Sequence, residues 1–111
     1  MKLAIDFGNP VIPEMDVLQI KPTDLDDFYI SATDLNKNNV FYLLLNSAHY
    51  YEDNGKKILS AHLYFLAANY LFVALTPLAS FDLAMHYMEK SVRLDPTQEH
   101  LEWLELIEKG N

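Results

Sequence analysis

The chain has 111 residues, enough for one domain with a buried core. Half of it is hydrophobic and only three residues are glycine, which excludes a disordered chain. Sixteen acids against eight bases leave a net charge of −8, which excludes a fold-wide basic patch for nucleic acid, and the absence of cysteine excludes disulfides, thiolate metal sites and cysteine nucleophiles.

Residues 1–39 read as a mixed segment. Lys2–Phe7 alternates, with Leu3, Ile5 and Phe7 on one side, as a short strand or extended arm does. It lacks the continuous apolar run of a secretory signal and meets Gly8-Asn9-Pro10, so a cytoplasmic location is the expectation. Met15–Ile20 reads as a second extended piece. Thr23 is placed to cap a short helix over Asp24–Ile30, with Asp26 and Asp27 near its positive end. Ser31–Asn39, dense in Asn, Asp, Ser and Thr, reads as a loop. The whole segment is expected to pack on the helical part.

Residues 40–111 read as helical throughout. Asn39 is a candidate cap for a helix from Val40 to Asp53, in which Phe41, Leu44, Leu45, Ala48 and Tyr51 share a face. Asn54-Gly55 ends it. A second helix, from Lys56 or Lys57 to Leu75, is apolar nearly all round. Ile58–Phe81 holds no charged residue and has the length of a bilayer span. It is interrupted by Ser60, His62, Asn69, Thr76, Pro77 and Ser80 and flanked by amphipathic helices, so a buried central helix is expected rather than a membrane segment. Ser80 is placed to cap a third helix to Leu94, with Phe81, Ala84, Met85, Met88 and Val92 as its stripe. Asp95-Pro96-Thr97-Gln98 reads as the start of a last helix reaching Lys109, with Asp95 as cap and Gly110 as stop. Short connections between four main helices predict antiparallel helical hairpins within a single, mainly α domain.

Ala84-x3-Met88-x2-Ser91-x4-Pro96 resembles the second helix of a tetratricopeptide repeat (TPR), where small, large and small residues precede a proline. Small residues let two helices approach, and the large one fills the space between them. Ala48-x2-Tyr51-x3-Gly55-x4-Ser60-x3-Tyr64-x2-Ala67 fits the same spacing in a conflicting register: Ser60 and Ala84 would be equivalent, yet lie 24 positions apart against a period of about 34. The downstream register, pairing Lys57–Thr76 with Ser80–Leu94, is the preferred one. The resemblance covers 40–111 and implies a surface that holds a peptide or helix of a partner.

Other chemistries fail on spacing. Asp34-x-Asn36-x-Asn38-Asn39 opens like a calcium loop, but its twelfth position is Leu45 instead of glutamate. His49, His62, His86 and His100 include no pair at i, i+4. Asp24, Asp26 and Asp27 have a simpler role at a helix start than as an acid pair. Ile5-Asp6-Phe7-Gly8 resembles the phosphate loop of actin-like ATPases without their remaining motifs. No catalytic residue, metal site or cofactor is expected.

The reading is a non-enzymatic protein-interaction module. Candidate partner-binding residues are the polar and aromatic ones off the apolar stripes: Asn46, His49, Tyr50, His62, Asn69 and Tyr70. His62, Asn69 and Thr76 recur every seven residues, as a shared groove or an internal polar seam between helices would require. The alternatives are a small acidic immunity-type inhibitor of a basic toxin, suited by the charge, and a homodimer closed through exposed apolar faces.

Overall fold

A computed structural model describes residues 5–110, and among these every regular element is helical. In chain order they are α1 (Glu14–Val17), α2 (Pro22–Ser31), α3 (Asp34–Asp53), α4 (Lys57–Tyr70), α5 (Ser80–Leu94) and α6 (Gln98–Glu108). A single π-helical turn, Leu71–Leu75, prolongs α4.

The N-terminal expectations need correcting. Of the expected strand, Lys2–Ala4 lies outside the described residues, and Ile5–Phe7 is not a strand. Met15–Ile20 is not extended: α1 starts after Pro13, with Glu14 and Asp16 in its first turn. The decisive spacing is three, because Val17 and Ile20 are buried while Met15 and Leu18 face outward. The α2 helix begins earlier than expected, at Pro22. Thr23 does not cap it; the Asp24 carboxylate accepts from the Lys21 N–H at 2.9 Å. Nor is Ser31–Asn39 a loop. Thr33 caps α3, its hydroxyl accepting from the Asn36 N–H at 3.2 Å, so the helix is already running where Asn39 stands. Asparagine's weak helix propensity is overridden here by that cap and by α3's packed face further on.

Later boundaries fall close to the sequence reading. Gly55 ends α3 with φ of +74°, a conformation that suits a residue without Cβ. The α5 helix starts at Ser80, but the residue before it, Ala79, is left-handed at φ +64°, so Ser80 is helical rather than the cap. Asp95 ends α5 instead of opening α6; the cap of α6 is Thr97, whose hydroxyl accepts from the His100 N–H at 3.1 Å.

Helix α4 is the centre of the molecule. Ala61, Leu63, Tyr64, Phe65, Leu66, Ala67, Ala68 and Tyr70 are fully buried. Helices α3 and α5 pack along two of its sides, α6 lies against α5, and α1 and α2 cross α4 elsewhere. Lys57–Leu75 is long and apolar enough to cross a membrane by length and composition, and 67% of its apolar window is buried inside the fold. Small residues set the close approaches. The Ser60 hydroxyl donates to the Ala48 carbonyl at 2.8 Å, and the Ser91 hydroxyl donates to the Ala61 carbonyl at 2.7 Å. Each bond brings a side chain of one helix to the backbone of the next, and α4 takes part in both.

The segment before α2 acts as a strap. Its Ile12 N–H donates to the Ser47 hydroxyl at 2.9 Å, and the Ile12 carbonyl accepts from the Tyr51 phenol. The Asn46 amide donates to the Pro10 carbonyl at 2.6 Å. At its far end the His62 Nε2–H donates to the Ile20 carbonyl at 2.7 Å. Lys56 and Glu14 add an exposed ion pair at 3.2 Å. The strap is therefore fastened to α3 at Pro10–Ile12 and to α4 at Ile20.

Candidate interaction face

The six candidate residues separate into two sets. Asn46, His49 and Tyr50 lie on the outer face of α3, all exposed. His62, Asn69 and Tyr70 do not join them. His62 is half-buried beside the strap, and Asn69 and Tyr70 are buried. The Tyr70 phenol donates to the Lys37 carbonyl at 2.6 Å and its ring meets Tyr29 edge-on at 6.1 Å. It ties α4 to the start of α3 and to α2. Of the seven-residue row, His62 is half-buried beside the strap and Asn69 is buried, whereas Thr76 is exposed and left-handed at φ +39°, so the row does not continue as one seam or one groove.

The outer face of α3 carries one further residue that sequence reasoning missed. Tyr42 is 65% exposed and stands one helical turn before Asn46. Tyr42, Asn46, His49 and Tyr50 follow the i, i+4, i+7, i+8 spacing of one helix face. The available signal was that Tyr42 sits off the apolar stripe of Phe41, Leu44, Leu45, Ala48 and Tyr51.

Behind this face runs a ribbon of rings that joins three helices. Tyr42 meets Phe41 at 5.5 Å, Phe41 meets Tyr87 of α5 at 6.2 Å, and Tyr87 stacks on Tyr64 of α4 at 6.0 Å and 7°. Tyr64 in turn contacts His49 at 5.8 Å, and His86 meets Tyr87 at 5.0 Å. Such pairs contribute about 0.5–1.5 kcal/mol each beyond the area they bury, so the ribbon holds its exposed ends in fixed positions. At one end Glu52 accepts from the Tyr64 phenol at 2.8 Å and pairs with Lys90 at 3.1 Å. The Lys90 ammonium also lies 4.8 Å from the Tyr64 ring centre.

The electrostatics favour neutral phenols on a fixed frame. Burial, then the Glu52 hydrogen bond and charge, push the Tyr64 phenol up. Burial and neighbouring Tyr42 raise Tyr87. For Glu52, burial opposes ionisation, but hydrogen bonds from Tyr64 and Lys90 and the nearby Lys90 and His49 charges outweigh it and hold the carboxyl below its ordinary range. The face offers flat ring surfaces and an imidazole, while the Asn46 amide is engaged by the Pro10 carbonyl of the strap. Elsewhere, no three His, Asp or Glu side chains among the described residues converge as metal ligands would.

No protein-family model matches this chain, and neither does any curated protein or solved structure.

Proposed function

We propose that the chain is a non-enzymatic helical interaction module that holds a protein or peptide partner across the outer face of α3. The observation that carries this reading is the exposed run Tyr42–His49–Tyr50: Tyr42 and His49 are backed by the ribbon through Phe41, Tyr87 and Tyr64, and Tyr50 rests edge-on against Tyr51 at 5.3 Å. Pre-positioned tyrosines present large contact area with few rotatable bonds, which is why such residues dominate binding energy at interfaces. The TPR-like reading in the preferred register, which pairs Lys57–Thr76 with Ser80–Leu94, is supported by the Ser91–Ala61 approach, in which Ser91 is a small position of that match.

The test is affinity capture from the native host with the wild-type chain and a Tyr42→Ala/Tyr50→Ala variant side by side. Both tyrosines are exposed, so the variant is expected to melt within about 2 °C of wild type while retaining the partner roughly tenfold or more weakly. Equal retention by both proteins would sink the proposal.

A second reading, an acidic inhibitor of a basic protein, is favoured by the α6 surface, where Glu99, Glu102, Glu105 and Glu108 are all exposed. It predicts association that slows steeply with salt and weakens on charge reversal in α6, with no dependence on Tyr42.

A further inference from the structure

A cavity of about 310 Å³ opens between the strap and α3. Its walls are aliphatic: Val11, Ile12, Ile20, Leu25, Val40 and Leu44 are buried or half-buried. Its rim is polar and acidic, with the carboxylates of Asp6 and Asp16 and the amides of Asn9 and Gln19, all exposed. Among the described residues that line it there is no Lys, Arg or His. The nearest lysine contact described on α1, Lys56, is already paired with Glu14.

Two features make this more than loose packing. The strap cannot simply settle onto α3, because it is held on one side of the cavity at Pro10–Ile12 and on the other at Ile20. The rim is also oriented: the Asp6 Oδ1 accepts from the Gly8 N–H at 2.8 Å, and the Asn9 Oδ1 accepts from the Val11 N–H at 3.1 Å. The volume is about twice the 150 Å³ of an engineered apolar cavity that takes up benzene. That leaves room for an aromatic or branched aliphatic body of roughly ten non-hydrogen atoms and a short polar arm.

We infer that this cavity is a binding site for a small organic cation: an apolar amine whose body enters between strap and α3 and whose ammonium group stays at the Asp6–Asp16 rim. Complementarity decides the charge. Among the described lining residues a carboxylate would face the like charges of Asp6 and Asp16 and no base, whereas an ammonium is attracted by them while remaining partly hydrated. The cavity lining shares no residue with the Tyr42, His49 and Tyr50 face, and the inference does not depend on the interaction-module reading.

The probes are phenethylamine as its ammonium, 2-phenylethanol as the neutral analogue and 3-phenylpropanoate as the anion. Each is titrated into the full-length chain and followed by amide chemical shifts in two-dimensional NMR. Phenethylammonium is expected to saturate at around 1 mM, an affinity reasonable for so small a ligand, with shifts concentrated at Ile12, Ile20, Val40 and Leu44. The alcohol is expected to bind several-fold more weakly and the carboxylate more weakly still. Asp16→Asn, at an exposed position that leaves the fold intact, is expected to weaken the ammonium about threefold and leave the alcohol unchanged. Leu43→Trp, which intrudes on the cavity, is expected to abolish all binding while the helical circular dichroism is retained. If that variant unfolds, the probe series and Asp16→Asn still decide the matter. The inference is overturned by any of three results: no saturable shift with phenethylammonium, equal affinity for alcohol or carboxylate, or shifts confined to other surfaces.

Discussion

Ser91 illustrates how one small side chain holds two contacts. Its hydroxyl donates to the Ala61 carbonyl at 2.7 Å and lies 3.3 Å from the His100 Nδ1, so it joins α4, α5 and α6. Ser91→Ala keeps the close approach and removes the bond; the expected cost is about 1 kcal/mol by urea unfolding. Ser91→Leu would force the helices apart and is expected to cost about 3 kcal/mol or more. Ala79 offers the opposite case. It sits at φ +64°, where a Cβ is disfavoured, so Ala79→Gly is expected to raise stability by about 0.5 kcal/mol, and Ala79→Val to lower it by about 1 kcal/mol or more. Calorimetry that ranked valine above glycine would contradict that backbone reading. Ala84, Met88 and Ser91, the small, large and small positions of the repeat-like spacing, are all three buried. Tyr70 and Asn69 were not assignable from spacing. A tyrosine or asparagine off a stripe looks the same in sequence whether it faces water or a segment that folds back from the N-terminus.

Among the helices, the starts proved harder to read than the stops. Gly55 announces the end of α3 because few residues accept its dihedral angle. The start of α3 was hidden: Thr33 is as good a cap as Asn39, and nothing local says which of two polar residues precedes the first turn. The short helix α1 was missed because four residues are too few to display a period. The strap's attachment to α3 and α4 gives those elements a pH dependence. Burial, the largest influence, holds the His62 imidazole below its ordinary 6.5, against the opposing Ile20 hydrogen bond and the Glu99 charge and in concert with His100. In the unfolded chain this histidine takes up its proton near 6.5 while the folded one resists. Stability is therefore fully present above that pH and falls as the solution is acidified, until the lower folded value is reached. The urea midpoint is expected to decline below about pH 6.5, and His62→Gln to flatten that part of the profile. An unchanged slope in the variant would assign the decline to other groups.

Over the entire fold, the alkaline limit belongs to the buried phenols. Burial and neighbouring Tyr29 raise Tyr70 from 10.0 to about 12, and Tyr64 is raised as well. Unfolded tyrosines ionise first, so stability is lost as pH rises above about 10. Tyr70→Phe is expected to delay alkaline unfolding while lowering stability near neutrality by about 1 kcal/mol, through loss of the bond to Lys37. The mainly helical class was legible because the apolar pattern after residue 40 repeats at helical spacing over several turns. The cavity was not legible at all, since its walls come from residues brought together only by the strap.

The strap also sets the order in which the molecule forms. The Ser60 and Ser91 bonds span 12 and 30 positions along the chain, and the strap's bonds to Ser47, Tyr51 and His62 span 35 to 42. The difference in loop-closure cost between 30 and 42 positions is only about 0.3 kcal/mol; what separates the strap is that its bonds gain nothing until α3 and α4, on which it docks, exist. The strap should therefore be unformed at the folding barrier. Tyr51→Phe, which removes one fastening, is expected to speed unfolding severalfold and leave the refolding rate nearly unchanged in stopped-flow measurements. The same late docking makes the cavity the last feature to appear on folding and the first to be lost, so a ligand seated there would act chiefly as a brake on unfolding.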